Sequence, residues 1–552
     1  MIFIWIFMVL FVCDARVFYV KSIGANDVPH ACRSMGLQYH APLNSNSSFH
    51  RCIGNNDDPS QMNYHADTNG ISIITPSITK MSIKPAVKYS VLDSLSDAEK
   101  KARAWYIPIY PTNDNAYNAN AYNVIKDGFR GDNVQMSVLG MYFATPSVDI
   151  PVFVNPYNAM DGSNNVYSNQ ESKYEHDSKV VSIFSGKGDC VDGLAPDTYI
   201  RPIKVMNEDG LLQSDYFSSA LYLQKNEVQI RTFGPENTSP HYDDRMMDEL
   251  VVETMVTSME RGGLYVVSGG NDGTRYNFTS ARACFDSSIA GFHGLISVGV
   301  FNAAGAVPGY ATRGCIFVSG PGGDEFHPMT LNDGFQCVAS AGSSFSCPVV
   351  GALIALLQSI CGNSLSNSDI QDIIVRTSRR AGLHDTHGIA GYQYLKNGAN
   401  ITYSDAAGFG YIDFRAAIKY VQDNKCPHVS AITQCDTPIY STLSESAQVN
   451  RFNIAFPRGC DMKRVKFVRL SAAFNVSLSS IVNWEVDSPA QAIPCTLLPL
   501  QHPYFDEGKI YHTGCWSFYN ESTVADAVWT IRYTTLQPLV IASFGINFFG
   551  FI

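Results

Sequence analysis

Apolar runs of strand length alternate with longer segments of helical spacing from Val134 to Leu356. NVQMSVLGM (133–141) and YIRPIKVM (199–206) predict buried strands, whereas DELVVETMVTSMERGG (248–263) predicts a helix. Such alternation is typical of an α/β domain built on a mostly parallel sheet. Ligands of these sheets bind at the carboxyl ends of the strands, so functional side chains are expected in the loops that follow them.

Three more segments continue the same pattern. HDSKVVSIFSG (176–186) predicts a helix that begins at His176, and GLISVGVF (294–301) predicts a strand. The run GSSFSCPVVGALIALL leads a predicted helix over 344–360, in which small and apolar residues are typical of a buried core.

The pattern changes after Cys426. Short alternating runs such as RFNIAF and VWTIRYTT follow one another between Arg451 and Phe551, with no long helical segment among them. This spacing predicts an all-β module. We therefore expect an α/β domain followed by a β domain over 426–552.

The first residues resemble a secretion signal. MIFIWIFMVLFV is apolar but short for a membrane span, and small residues follow it, which predicts a signal peptide over 1–15; an N-terminal anchor or a buried strand is the alternative. Residues 16–103 are polar and form a propeptide-like region ending in KKAR (100–103). That basic cluster predicts a processing site or, alternatively, the solvated end of a helix.

Composition narrows the partners and the compartment. A net charge of −11 and a pI near 5.6 argue against nucleic acid as the main partner, because phosphate binding needs a basic face. No further segment is expected to span a membrane.

Of the 14 cysteines, loss of Cys13 with the signal peptide would leave an odd number, so at least one thiol is unpaired or bonded to another chain. The sequence favours the secretory pathway or the extracellular space. Six Asn-X-Ser/Thr triplets agree with that route and predict glycosylation at Asn46, Asn237, Asn277, Asn400, Asn475 and Asn520.

Three polar residues stand at the edges of predicted strands and helices, where acyl-transfer chemistry could be assembled. Ser344 begins the apolar helix and is a candidate nucleophile, with a helix N-cap as the alternative. His176 is a candidate base, although a lone His is often a cap or a surface residue. Asn271 ends the strand of VVSGGNDG and is a candidate oxyanion donor, with turn chemistry as the alternative.

Several motifs, in this order, resemble those of the subtilisin-like serine proteases. GLAPDTYIRPIKVMNEDG (193–210), VVSGGNDG (266–273) and GSSFSCP (342–348) match internal motifs of that family. FGPENTS (233–239) and KNGANITYSDAAGFGYIDFRAAI (396–418) resemble the kexin and furin branch, the proprotein convertases. The β module resembles the P (Homo B) domain of that branch. The resemblance implies a peptidase domain over 104–425 and a jelly-roll-like P domain over 426–552.

The resemblance carries three roles over to matching positions. It implies Ser344 as nucleophile, His176 as general base and Asn271 as oxyanion donor, whereas the family's catalytic Asp falls on Gly140. A second departure lies beside the base, where Asp177 replaces the family's Gly.

Other expectations also rest on the resemblance alone. It implies structural calcium with Asp149 as a ligand, and Glu236 and Asn237 in the substrate pocket. It also implies disulfides Cys190–Cys337, Cys284–Cys315 and Cys435–Cys460, and proximity in sequence suggests Cys495–Cys515.

The loss of the acid leaves three hypotheses open. In the first, the chain is a secreted, degenerate convertase that binds peptides, proproteins or a convertase propeptide without cutting efficiently. In the second, it is an endopeptidase that cleaves precursors after basic residues, with an acid supplied from elsewhere in the fold. In the third, it is a binding protein that acts through the P domain. If only the acid is missing, Gly140→Asp is expected to restore reactivity.

Overall fold

A computed structural model of the chain describes strands within residues 16–91 and most of residues 118–552. The described residues are 16–22, 38–42, 49–54, 71–74, 78–82, 87–91 and 118–552 apart from 146–152, 169–170, 187–191, 208, 214–219, 222–226, 233, 236–248, 272, 274–291, 315, 334–335, 381–383, 386–393, 439, 445–448, 475–480, 491–492, 494, 499–509, 524–526 and 536–538.

These residues form strands throughout and six helices. The strands are β1 (Arg16–Ser22), β2 (Gln38–Pro42), β3 (Phe49–Gly54), β4 (Ile71–Ile74), β5 (Ile78–Ser82), β6 (Val87–Val91), β7 (Gln135–Gly140), β8 (Tyr157–Asn158), β9 (Tyr199–Lys204), β10 (Leu211–Gln213), β11 (Val228–Arg231), β12 (Gly234–Pro235), β13 (Leu264–Ser268), β14 (Leu295–Phe301), β15 (Ala306–Val307), β16 (Val318–Pro321), β17 (Met329–Asn332), β18 (Cys337–Ala341), β19 (His384–Asp385), β20 (Leu395–Lys396), β21 (Thr402–Tyr403), β22 (Ile432–Asp436), β23 (Tyr440–Ser444), β24 (Val449–Ala455), β25 (Arg464–Phe474), β26 (Ile481–Asp487), β27 (Cys495–Leu498), β28 (Ile510–Cys515), β29 (Val528–Thr535) and β30 (Leu539–Phe551). The helices are α1 (Tyr122–Lys126), α2 (Glu171–Ser185), α3 (Glu249–Glu260), α4 (Ser343–Ile360), α5 (Asn367–Thr377) and α6 (Phe414–Asp423).

Seven strands form the central sheet, in the order β16-β14-β13-β11-β7-β9-β8. Every neighbouring pair in it is parallel. The predicted α/β domain with a mostly parallel sheet is therefore confirmed. After β7 the chain continues to β8 and β9 on one side of the sheet, and after β11 it continues to β13 on the other side. Neighbouring strands whose connections diverge in this way form a crevice at their carboxyl ends.

The two faces of this sheet are buried by different helices. Side chains such as Met136 and Val138 pack with α2 and α4 on one face. Leu139 and Val267 point to the opposite face, where they pack with Met255 of α3. The alternation of side chains along each strand thus buries both faces.

Helix α4 runs through the core beneath the sheet. Every residue from Ser343 to Gln358 is buried. A Cβ on Gly351 would overlap Ile230 of β11, so this glycine allows the helix to approach the sheet closely. Among the described residues, α4 is the one helix long and apolar enough to cross a membrane, and it is almost wholly enclosed by protein.

The propeptide-like region contributes strands to two places. β1 to β4 form an antiparallel sheet of their own, in the order β2-β3-β1-β4. β5 is instead the middle strand between β10 and β12, and β6 pairs with β18. The backbone of this region therefore pairs with strands of the α/β domain.

The C-terminal part is an antiparallel β module, as predicted. One sheet has the order β22-β30-β25-β28, with β23 also on β30, and the other has the order β24-β29-β26-β27. Apolar side chains such as Ile454, Phe548 and Trp529 fill the space between the sheets. A disulfide joins Cys495 of one sheet to Cys515 of the other.

A continuous apolar cluster joins the β module to the α/β domain. The Trp516 ring lies 4.7 Å from the Phe317 ring, and the Tyr519 ring lies 5.4 Å from Phe409. Asn397 Nδ2 adds hydrogen bonds to the backbone carbonyls of residues 517 and 519, at 3.0 and 2.8 Å. The two modules therefore share a core.

Candidate active site

Ser344 is the second residue of α4 and is buried at the carboxyl end of the central sheet. Its hydroxyl donates a 2.9 Å hydrogen bond to the carbonyl of Thr232, the residue that follows β11. The N-cap of α4 is Gly342, and no side chain caps the helix. The alternative in which Ser344 serves as an N-cap is therefore wrong, and its hydroxyl lies at the positive end of the helix dipole.

Asn271 lies three residues after β13 and reaches the turn that carries Ser344. Its Oδ1 accepts a 2.9 Å hydrogen bond from the amide of Ser343, and the Ser343 hydroxyl accepts one of 3.2 Å from the amide of Gly270. These two bonds fix the end of β13 against the start of α4. With its oxygen held toward the helix, the Asn271 side chain has Nδ2 as the group that can donate to an oxyanion.

His176 lies in the second turn of α2, because that helix begins at Glu171. The prediction that the helix begins at His176 is therefore wrong. The imidazole is only 6% exposed, so it is neither a cap nor a surface residue, and its ring lies 6.2 Å from that of Phe345. Nε2 is buried and has no hydrogen-bond partner within the part of the chain that the structure describes.

The other imidazole nitrogen has a carboxylate partner. His176 Nδ1 lies 2.9 Å from Oδ1 of Asp177, a side chain that is 1% exposed. Oδ2 of the same carboxylate accepts the backbone amide of Met141 at 2.7 Å and that of Tyr142 at 3.3 Å. The candidate base is therefore in contact with a carboxylate, and Asp177 is a residue to which the sequence motifs assign no such role.

Gly140 supplies the room for this carboxylate. A Cβ built on Gly140 would overlap Oδ2 of Asp177 and would lie 2.5 Å from its Cγ. The Asp177 carboxylate thus occupies the space into which a side chain at position 140 would project. The sequence contains one signal for this arrangement: compared with the family motifs, an acid is lost at Gly140 and gained at Asp177.

Strand β5 pairs with two strands of the α/β domain, and one of these, β12, begins two residues after Thr232. In the sheet β10-β5-β12, Ser82 is opposite Gly234 and Met81 is opposite Pro235, with antiparallel pairing on both sides of β5. Gly234 lies two residues beyond Thr232, the residue that holds the Ser344 hydroxyl. The edges of β10 and β12 therefore pair with an extended backbone, and β12 follows closely in the chain on the carbonyl that accepts the Ser344 hydroxyl.

Several predicted site residues lie outside the described residues. These are Glu236, Asn237, Asp149 and the triplets at Asn46, Asn277 and Asn475. Of the remaining triplets, Asn400 is exposed and Asn520 is half-buried. Within the described ranges, no group of three or more His, Cys, Asp or Glu side chains could hold a metal ion, so calcium stays a prediction that rests on resemblance.

The cysteines form bonds in both modules. The structure contains the expected Cys435–Cys460 and Cys495–Cys515 bonds, together with an unpredicted Cys361–Cys426 bond. Cys337 is disulfide-bonded, while Cys190, Cys284 and Cys315 lie outside the described residues. Cys347, in the first turns of α4, is buried and lies outside these disulfides.

Known proteins resemble this chain in sequence. Endoprotease aex-5 of Caenorhabditis elegans is 24% identical over 392 residues, which cover 68% of this chain and 67% of that protein. Furin-1 of Xenopus laevis is 23% identical over 340 residues, or 58% of this chain, and the matched part is 41% of Furin-1.

Solved structures share the fold. A serine protease of Aeromonas sobria superimposes with a TM-score of 0.66 at 17% identity, covering 82% of this chain and 95% of that one. Its complex with a chaperone gives 0.65 at 16% identity, with the same coverage. The model of the subtilase family, peptidase S8, matches residues 123–410, which are more than half of the 552 residues. The chain belongs to the subtilase family.

Proposed function

We propose that this protein is a serine-type endopeptidase that binds its substrate as an extended strand between β10 and β12. The observation that carries the proposal is the pairing of β5, an extended strand, with β10 and with β12, which begins two residues after the Thr232 carbonyl that accepts the Ser344 hydroxyl. A cleft that binds backbone in this way accepts many sequences, because main-chain hydrogen bonds supply affinity and side-chain pockets supply specificity.

The site residues support acyl transfer. In the proposed reaction, His176 Nε2 takes the proton of the Ser344 hydroxyl while Oγ attacks the scissile carbonyl. Asn271 Nδ2 and the Ser344 amide donate to the oxyanion. The C–N bond then breaks, His176 returns the proton to the leaving amine, and water hydrolyses the acyl-enzyme by the same proton route.

One rearrangement must precede this reaction. The Ser344 hydroxyl donates to the Thr232 carbonyl, and His176 Nε2 has no partner among the described residues, so the hydroxyl has to rotate toward the imidazole. Catalytic hydrogen bonds are often long without substrate and tighten when it binds.

The competing function is that of a binding protein that does not cut. The hydrogen bond from Ser344 to the Thr232 carbonyl and the His176 Nε2, which has no partner within the described ranges, favour it. In that case Ser344 stays on the Thr232 carbonyl, and the cleft holds peptides or a propeptide without acylation.

We assign the proposed activity to the processing of proproteins after basic residues. The similarity to Endoprotease aex-5 and Furin-1 supports this assignment. The disulfides support a route through the secretory pathway, where such bonds form and persist. We further assign the β module to the P domain and the cluster at 100–103 to a processing site.

Labelling with a fluorophosphonate probe tests the proposed function. The wild-type protein is expected to be labelled and to cleave a peptide with Arg before the scissile bond faster than its Leu analogue. Ser344→Ala should abolish both signals, whereas Ser359→Ala, a half-buried serine at the far end of the same helix, should leave both unchanged. A wild-type protein that neither reacts nor cleaves would be the non-cutting binder.

A further inference from the structure

Two unusual residues of the sequence occupy the same place in the fold. Gly140 ends β7 and Asp177 lies on α2, and they are 37 positions apart in the numbering. The Asp177 carboxylate nevertheless fills the space beside the Gly140 Cα, at the position from which a family Asp would reach the base. The acid that is missing from the end of β7 and the acid that is gained on α2 therefore belong to the same site.

We propose that Asp177 is the positioning residue that orients the His176 imidazole. Position 140 must then be glycine, because a side chain there would occupy the space of the Asp177 carboxylate. The inference rests on the proposed function and deepens it. The orienting carboxylate has moved from the end of β7 to α2, so the site is complete, although the family's own acid is absent.

The geometry explains how a residue adjacent to His176 can orient it. Neighbouring residues on a helix point about 100° apart and do not normally face each other. Here the amides of Met141 and Tyr142 hold Oδ2 at the end of β7, and Oδ1 is left directed at Nδ1 of the imidazole. The contact therefore depends on the backbone turn after Gly140 as well as on α2.

The burial of the pair suits the chemistry. Asp177 is 1% exposed and His176 is 6% exposed, so water competes little with their contact. A buried carboxylate is tolerated when it is hydrogen-bonded, and here two amides and one imidazole surround it. Such a carboxylate holds the proton on Nδ1, leaves Nε2 as the base, and stabilises the imidazolium that forms in the transition state.

Asp177→Asn tests the positioning role. We expect kcat to fall about 10³- to 10⁴-fold with little change in KM, because the carboxylate acts on the reacting imidazole and not on substrate binding. Asp413→Asn is the matched control: Asp413 is also buried, but it caps α6 and should affect the thermal midpoint without changing kcat. A folded Asp177→Asn protein with wild-type kcat would overturn the proposal.

The reciprocal exchange tests the role of Gly140. Gly140→Asp alone places two carboxylates in one space, so we expect kcat to fall at least about tenfold and the thermal midpoint to drop. This is the opposite of the restoration expected from the sequence.

Asp177→Gly alone removes the acid, and the double variant Gly140→Asp/Asp177→Gly should return kcat to within about tenfold of wild type.

A measurement without turnover separates this inference from the proposed function. In Ser344→Ala protein with ¹⁵N-labelled histidine, the Nδ1 proton of His176 should give a resonance far downfield of the amides. Asp177→Asn should remove it, and Asp413→Asn should keep it. If the wild-type protein does not react with the fluorophosphonate probe but the Ser344→Ala protein shows the resonance, the proposed activity is absent and the positioning contact is present. If the wild-type protein reacts with the probe and the resonance survives Asp177→Asn, the inference alone is contradicted.

Discussion

At the scale of single residues, Asn271 connects the end of the central sheet to the nucleophile turn. Its Oδ1 accepts the Ser343 amide, so the same side chain braces the turn and, in the proposed reaction, donates from Nδ2 to the oxyanion. The braced position requires an amide, because a carboxylate in its place could accept the Ser343 amide but could not donate.

This arrangement predicts the effect of changing Asn271. Asn271→Asp preserves the acceptor for the Ser343 amide and removes the oxyanion donor, so kcat should fall about 10²- to 10³-fold while the thermal midpoint changes little. Steady-state kinetics and thermal unfolding of the same preparation measure the two effects. Equal kcat values for the variant and wild type would mean that Asn271 only supports the turn.

The residues of the candidate site were predictable from the sequence to different degrees. Ser344, His176 and Asn271 were identified by motifs whose spacing is local. Asp177 stands out in the sequence only as a departure from the family's Gly, and its contact with His176 is not predictable there, because adjacent residues on a helix point apart. Its role depends on β7 lying beside α2, and this neighbourhood becomes visible only once the chain is folded.

At the scale of secondary structure, β5 pairs with the two strands that we propose as the binding edges for a substrate. Its backbone pairs with β10 and β12, and β6 then pairs with β18, the strand that leads to α4. The chain's own N-terminal region therefore competes with any peptide for the same two edges.

Lys80→Pro should relieve this competition. Lys80 pairs with Leu211 in the middle strand, and proline there lacks the amide that a paired strand donates. We expect faster fluorophosphonate labelling of the full-length protein, whereas Lys80→Ala, which keeps the backbone amide, should label at the wild-type rate. Unchanged labelling of the proline variant would show that β5 does not limit access to Ser344.

The strands and helices of the α/β domain followed closely from periodicity. The helix predicted over 248–263 is observed as Glu249–Glu260, and the strand predicted over 294–301 as Leu295–Phe301. The start of α2 was missed because ESKYE is polar and shows no apolar periodicity, so only the later, buried turns carried a signal.

At the scale of the whole molecule, a buried lysine lies between the two modules. Lys466 of β25 is 1% exposed and donates a 2.9 Å hydrogen bond to the Ser368 hydroxyl of α5. Burial lowers the pKa of Lys466 to about 7, although Asp369 and Asp372 act in the opposite direction. The pKa of the neighbouring His293 is also well below its usual range, mainly because of burial.

The direction of the pH dependence follows from this shift. The folded pKa of Lys466 is below that of an unfolded lysine, so the unfolded chain binds the extra proton between about pH 7 and 10. The free energy of unfolding should therefore rise with pH through that window. Below pH 7 the lysine is charged in both states, and the cost of burying the charge is fully present.

Lys466→Met should remove that cost. We expect stabilisation by about 1–3 kcal/mol at pH 6, decreasing as the pH approaches 10, because Asp369 and Asp372 keep other partners on α5 and in the β module. Thermal midpoints at pH 6 and 9.5 measure the difference. Lys419→Met, which changes an exposed lysine, is the control, and an equal response of both variants would contradict the prediction.

The sequence predicted two modules but not the way they join. Apolar residues of β30 that belong to the shared core, such as Phe549 and Phe551, belong to the same strand as Phe548, which faces the module's own core. Periodicity reports that a face is buried and not what covers it. The Cys361–Cys426 bond was missed for the same reason, since its two ends come together only in the folded chain.

The most direct measurement is kcat of the double variant Gly140→Asp/Asp177→Gly compared with that of Asp177→Gly. If the orienting carboxylate has moved from β7 to α2, returning it to the strand should raise kcat by about 10²-fold or more over the single variant. If the double variant, folded to the wild-type thermal midpoint, is no faster than Asp177→Gly, then Asp177 is not the acid of this site.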